Sequence, residues 1–292
     1  MTKKRTSLFL VIPTVAILVL IVIFPMFYSI TVAVQNYDIR IPNHTFAGLG
    51  NFIKILTDSN FYHAALVTGI MLAVELAVEF VLGLVLAMLL MQIPLSRKLY
   101  QPILLIPMMV MPVVVGYVGR LVFEIRSGPI NYLLNVIGIQ SLQWHASPHL
   151  ALITVMILRV WRWTPFVMAT LLAGLLSLPV EPYESVQVDG ANARQTFFYI
   201  TLPMLKPVIT LVIIMRALEI LQAFDIIYVL TMGGPGISTM PLSLYTYLKG
   251  FRYWDIGQAS AAAWLIMIPL SILVTFFVKM MEEEEVEVEE KK

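Results

Sequence analysis

The sequence predicts an all-α membrane protein with six transmembrane helices, and three observations carry that prediction. Apolar residues fill 59% of the 292 positions and charged residues 13%, a balance that soluble domains do not reach. The apolar residues gather into six runs, each long enough to cross a hydrocarbon core of roughly 30 Å. The connecting segments are short, so residues 1–292 read as one membrane-embedded domain with no room for a nucleotide-binding or receptor domain.

The first run, Leu8 to Val34, follows Lys3, Lys4 and Arg5. It is too long for a signal-peptide core and no small-residue cleavage site follows, so it reads as a retained anchor. The second, Ala64 to Met91, carries Glu75 and Glu79 one turn apart. Ionisable groups at a span centre cost roughly 2.5–3.5 kcal/mol and face the bundle interior; these two read as structural ion-pair partners. The third run, Leu99 to Phe123, is interrupted by Pro107 and Pro112. The fourth, His149 to Leu176, contains Pro165, with Arg159 and Arg162 expected to snorkel toward an interface while Trp161 and Trp163 anchor. The fifth, Val208 to Met232, ends at Gly233, Gly234 and Pro235; its Arg216, Glu219 and Gln222 follow at three-residue steps and Asp225 comes next. The sixth, Ile256 to Met281, contains Pro269. Broken helices free backbone carbonyls that transporters use in substrate sites, though bent packing helices give the same pattern. The tail, residues 282–292, reads EEEEVEVEEKK, an acidic, solvated and partly disordered segment.

Basic residues orient the chain. With the N-terminus inside, Lys3, Lys4, Arg5, Arg97, Lys98, Arg194, Lys206 and Lys279 lie on the cytoplasmic side. Arg40, Lys54, Arg126, Lys249 and Arg252 fall in outer loops. The bias places both termini in the cytoplasm of a multi-pass protein of the cell membrane. A formal charge of +1 without a basic stripe argues against nucleic acid. The absence of cysteine excludes disulfides and thiolate sites, and His44, His63, His145 and His149 have no metal-ligand spacing. No GxxxxGK[ST], HExxH or GxSxG arrangement occurs, so no catalytic residue is assigned and the chain is not read as an enzyme. The two halves share no repeat, so a pseudo-twofold pathway requires a second subunit.

One loop, residues 177–207, is too polar for lipid and too patterned for a plain connector. Glu181 to Val188 predicts a short helix, Gly190 a turn, and Ala191 onward a second helix ending near Pro203. Such a rigid knob fits a partner's groove through Val186, Val188, Phe197 and Phe198, with Glu184 and Asp189 at the rim. The alternative is an amphipathic loop lying on the lipid surface.

Glu184, Asp189, Gly190 and Ala191, followed by Ile200, Leu202 and Pro203, resemble the EAA loop of ABC importer permeases. Ser185 and Val186 stand where the two naming alanines would be. FAGLGNF at 46–52, VWRWTPF at 160–166, the long segment from Phe224 to Phe251 with its Gly-Gly-Pro, and DIGQASA at 255–261 resemble the maltose/trehalose-type sugar permeases, and the first of their two dissimilar subunits. The resemblance implies a six-helix type I importer permease with cytoplasmic coupling helices. It implies a heterodimer with a second permease, two ATPase subunits that bind ATP and Mg while this chain binds no cofactor, an extracytoplasmic sugar-binding protein, and lipid around the spans. It also implies that the loop docks on the ATPase and that sugar contacts lie on the fifth span.

A disaccharide is neutral and covered with hydroxyls, so its path needs planar donors and acceptors with aromatic faces. The candidates are Arg120, Arg216, Glu219, Gln222, Tyr117 and Tyr228, with Gly233, Gly234 and Pro235 as a periplasmic gate. A competing reading pairs Arg216 with Glu219 or Glu79 to hold the bundle. Glycerol phosphate or another oligosaccharide is an alternative solute, and an autonomous ion-coupled transporter is the alternative class.

Overall fold

The computed structural model describes residues 3–290. The first span begins as α1 (Lys3–Leu18) and passes through a π-helical turn, Val19–Ile23, into α2 (Phe24–Ala33). A two-residue hairpin follows, β1 (Gln35–Asn36) antiparallel to β2 (Thr45–Phe46), with Gln35 opposite Phe46. Then come α3 (Gly50–Leu56), α4 (Ser59–Gln92), α5 (Pro94–Met109), α6 (Pro112–Val122), α7 (Pro129–Val136) and α8 (Pro148–Ser177). The predicted loop holds α9 (Glu181–Val188), α10 (Ala193–Thr196) and α11 (Leu202–Met204); α12 (Lys206–Leu221), α13 (Asp225–Leu230), α14 (Leu242–Tyr247) and α15 (Ile256–Glu290) complete the chain.

Among the described residues, Val11–Ala33, Ser59–Gln92, Pro148–Ser177 and Lys206–Leu230 are long and apolar enough to cross a bilayer. The third expected span is the pair α5 and α6, bent by 90° at the interruption expected at Pro112, whereas Pro107 lies inside α5. Val110 and Met111 are extended there, with ψ of 132° and 136°, and Pro112 cannot continue the ladder from α5 because it has no N–H. Pro165 and Pro269 do not interrupt their helices as expected; each sits inside a continuous one. The sixth expected span falls within α15, apolar over Ile256–Ile272, and several of its later side chains lie outside the described residues. The tail expected to be acidic and solvated continues α15 as far as Glu290. Glutamate is a good helix former. Lys291 and Lys292 lie outside the described residues.

The chain forms two compact units, each described by itself. One comprises residues up to Phe61 with Tyr245–Ser271. Two of the sequence motifs meet in it. Asn51, from FAGLGNF, is buried and donates through Nδ2 to the Ala33 and Gln35 carbonyls at 2.9 and 2.7 Å. Gly257, from DIGQASA, donates its N–H to the Tyr37 carbonyl at 3.0 Å. Both motifs therefore hold the turn out of α2. The Trp264 indole donates to Ser29 Oγ at 3.0 Å, tying α15 to α2.

The second unit comprises Tyr62–Leu244 and the chain from Ile272. Its core packs Ala87 and Leu90 of α4, Val167, Met168, Leu171, Leu172 and Leu175 of α8, Leu205, and Val212 of α12. Close approach is built in at Gly83, where an added Cβ would lie 2.6 Å from Val167 Cγ1. Small residues at such crossings replace the hydrophobic drive that lipid does not supply.

Candidate functional site

Five ionisable side chains from α4, α8 and α12 close into one network. Arg216 on α12 donates from Nε and Nη2 to the two oxygens of Glu79 on α4, at 2.6 and 2.7 Å, and from Nη1 to Glu219 Oε2 at 2.7 Å. Arg159 on α8 donates from Nε to Glu75 at 2.9 Å and from Nη2 to the same Glu219 oxygen at 3.0 Å. Both guanidiniums and the carboxylates of Glu75 and Glu79 are buried, whereas the Glu219 side chain is 30% exposed. A buried charge needs both a counter-charge and hydrogen bonds, and this arrangement supplies them. The Arg216 guanidinium also lies 4.5 Å from the centre of the Trp163 ring, and that of Arg162 4.7 Å from it.

The competing reading of Arg216 as a bundle-holding pair with Glu79 or Glu219 is the geometry observed, and the structural role read for Glu75 and Glu79 agrees with it. The interfacial reading of Arg159 is overturned: the residue is 2% exposed and spends its donors on Glu75 and Glu219. Arg162 is half-buried and donates from Nε to the Val110 carbonyl at 3.2 Å, the group freed by the α5–α6 break.

The other pathway candidates are more open. Gln222 terminates α12 and is exposed, with its backbone N–H on the Glu219 carbonyl at 3.1 Å. Tyr117 is exposed on α6, and Arg120 on the same helix donates from Nε to the Leu230 carbonyl at the end of α13, 3.1 Å away. Tyr228 is half-buried and stacks on Phe224 with ring centres 5.1 Å apart. Residues Gly233 to Pro235 form a turn closed by buried Thr239, whose N–H reaches the Gly233 carbonyl at 3.1 Å and whose Oγ1 reaches that of Gly234 at 2.9 Å. Sequence reasoning passed over Thr239, since a lone threonine carries no signal.

In the polar loop the two expected short helices are present. α9 ends at Val188 with Asp189 as its C-cap, and Gly190 turns the chain with φ of +76°, a conformation that side-chain-bearing residues resist. Asn192 then starts α10 through a reciprocal cap: its Oδ1 accepts from Gln195 N–H at 3.0 Å, and Gln195 Oε1 accepts from Asn192 N–H at 2.9 Å. The Tyr183 hydroxyl donates to Thr201 Oγ1 at 3.1 Å, tying the two arms together. Helical turns continue through Phe197–Thr201 to α11, so Ile200, Leu202 and Pro203 lie on the second arm. A groove of about 320 Å³ is lined by Val186, Asp189, Gly190, Ala191, Tyr199 and Ile200, among others. Val188 is 88% exposed and Tyr199 75%, while Glu184 and Asp189 also face outward.

Residues 79–284 match the family described as binding-protein-dependent transport system inner membrane component. The chain is 38% identical over 268 residues to a probable ABC transporter permease protein of Sinorhizobium fredii, covering 91% of this chain and 86% of that one. It is 30% identical over 274 residues to the trehalose/maltose transport system permease protein MalF of Thermococcus litoralis, covering 94% and 92%. Its fold is similar to a chain in the crystal structure of a bacterial ABC transporter involved in import of the acidic polysaccharide alginate, with a TM-score of 0.83, 24% identity and 96% of each chain covered. The family member is the membrane component, and ATP hydrolysis resides in separate subunits. The chain belongs to the binding-protein-dependent transport system inner membrane components, as a multi-pass permease of an ABC importer.

Proposed function

We propose that this chain is one of two permease subunits through which an ATP-driven importer moves a neutral sugar, a disaccharide of the maltose or trehalose kind. The reading rests chiefly on the exposed knob at Gly190, two short helices at a fixed bend beside an open groove. Such a shape offers a partner two apolar side chains, Val188 and Tyr199, with Glu184 and Asp189 at the rim. The partner is an ATPase dimer that binds ATP and Mg; this chain binds neither. The knob, with Ala191, Ile200, Leu202 and Pro203, carries closure of that dimer into α12 and the spans. The sugar assignment is supported by the 94% coverage of this chain in the match to a trehalose/maltose permease.

In this mechanism both termini and the 177–207 loop are cytoplasmic, and a sugar-loaded binding protein docks on the outer loops. Gln222, Glu219, Tyr117, Tyr228 and Arg120 line the path, and the Gly233–Pro235 turn, stapled by Thr239, acts as the outer gate. Arg216 serves the path indirectly by holding Glu219. Uptake of labelled trehalose and maltose into proteoliposomes containing the full complex tests the assignment. Receptor- and ATP-dependent accumulation of one of them is expected; uptake driven by a pH gradient without ATP would return the autonomous transporter.

A further inference from the structure

Arg162 carries donors that the fold leaves largely unspent. It sits at mid-length of the 30-residue α8, where a span crosses the hydrocarbon centre, and it is half-buried. Arg159 and Arg216 are each neutralised by carboxylates. Arg162 has only the Val110 carbonyl, 3.2 Å from Nε, and its two Nη groups donate to nothing among the described residues. A partly open guanidinium at that depth without a salt bridge is tolerated against water and not against lipid. Its anchor points the same way: Val110 and Met111 are extended at the α5–α6 break, and non-helical backbone within a membrane is confined to protein interior or the wall of a wet cavity. The guanidinium is also held in place, 4.7 Å from the centre of the Trp163 ring, with that of Arg216 4.5 Å from the same ring. Through Arg216 this ring adjoins Glu219, whose side chain is 30% exposed; its Oε2 serves both buried arginines, and its Oε1 accepts no hydrogen bond among the described residues. Counting Arg162, the cluster has three guanidiniums against the three carboxylates of Glu75, Glu79 and Glu219, so it asks no charge of a solute, and its open edge offers a donor and an acceptor together.

We propose that the Nη groups of Arg162 and Oε1 of Glu219 form a mid-membrane subsite for the hydroxyls of an uncharged sugar, with Trp163 and the Val110 carbonyl positioning the guanidinium. This deepens the sugar-permease reading and rests on it. One hydroxyl accepts from Arg162 while another donates to Glu219, so each side chain uses the one capacity it has left. Arg159 and Arg216 stay paired throughout and make no contact with the solute. A donor already fixed at Nε and against a ring loses less freedom on binding than a mobile one.

The test uses the purified complex of both permeases with the ATPase, without the binding protein, so that receptor selectivity does not intervene. Phenylglyoxal, which attacks unspent guanidinium nitrogens, is applied with and without trehalose, maltose or glucuronate, and the modified arginines are mapped by mass spectrometry. Arg162 is expected to be modified and to be protected several-fold by one of the two disaccharides, whereas Arg159 and Arg216 stay unmodified throughout. An unmodified Arg162, or one modified equally with and without a disaccharide that binds, overturns the proposal with no variant needed. Binding of that disaccharide and its monodeoxy analogues is then compared by saturation-transfer NMR in the wild type and in Arg162→Gln. The wild type is expected to bind the analogue lacking the contacted hydroxyl about tenfold less well than the parent sugar, and Arg162→Gln to bind the two alike. Equal weakening of every analogue by Arg162→Gln would leave the residue only the task of holding the α5–α6 break, and overturns the subsite while the sugar assignment stands. Protection by glucuronate and by neither disaccharide overturns the uncharged class. A wild-type complex that binds neither disaccharide sinks the sugar assignment itself, and the subsite with it.

Discussion

Arg216 and Glu79 face each other as a parallel two-point pair, with Nε and Nη2 at 2.6 and 2.7 Å from the two carboxylate oxygens, across 137 positions of sequence. Both side chains are sealed from the surface, so neither can be removed alone without stranding the other. Arg216→Ala is therefore expected to cost about 3–5 kcal/mol, read as a lower melting temperature of the purified complex. A wild-type melting temperature in that variant contradicts the pairing.

The bend of the knob depends on one left-handed residue. Gly190 has φ of +76°, and an added Cβ meets nothing within 4 Å, so a substitution acts through the backbone and not through a clash. Gly190→Val is expected to strain the turn by about 1–2 kcal/mol and to lower receptor-stimulated ATP hydrolysis, while the complex still assembles. Full stimulation in an assembled Gly190→Val complex removes the turn from coupling.

Asn192 and Gln195 cap each other's backbone N–H at the start of α10. Asn192→Ala is expected to lose about 1 kcal/mol of local stability, seen as faster proteolysis between residues 181 and 204, and Asn192→Asp to retain most of it. Equal cleavage of the alanine and wild-type loops contradicts this.

Asp58 accepts from the Tyr245 hydroxyl at 2.7 Å and from Lys249 Nζ at 3.0 Å. Burial pushes its carboxyl up, but these two donors, the Asn60 backbone N–H and the Lys249 charge together outweigh that and hold it below the ordinary value. A depressed folded value contributes stability that is complete above the unfolded value, near ~3.9, and is lost as pH falls through the folded one. Tyr245→Phe should then cost about 1 kcal/mol at neutral pH, with the gap from wild type narrowing at acid pH in melting experiments. A pH-independent gap would assign the loss to packing alone.

Much of this was legible in the sequence because lipid imposes simple rules: the apolar runs located the spans, and the spacing from Glu184 to Pro203 located the knob. What escaped depended on partners distant in sequence. Arg159 lies just before Trp161 and Trp163, which look like an interface, and Glu75, its counter-charge, lies 84 residues upstream. Prolines marked possible breaks without ranking them. The α5–α6 break at Val110 and Met111 exposes a carbonyl that Arg162 covers, whereas Pro165 is buried in the packed middle of α8, where continuity is retained. The Asn192 to Gln195 spacing, by contrast, is a local capping signature that the sequence did contain.

The central claim is that the knob at Gly190 couples a partner's ATP hydrolysis to passage of a sugar through this chain. ATP hydrolysis by the co-purified complex in liposomes, titrated with binding protein carrying trehalose, maltose or no sugar, tests it most directly. The account predicts stimulation by one loaded receptor and loss of that stimulation in Gly190→Val. Solute flux without ATP, or a permease that retains no ATPase on purification, contradicts it.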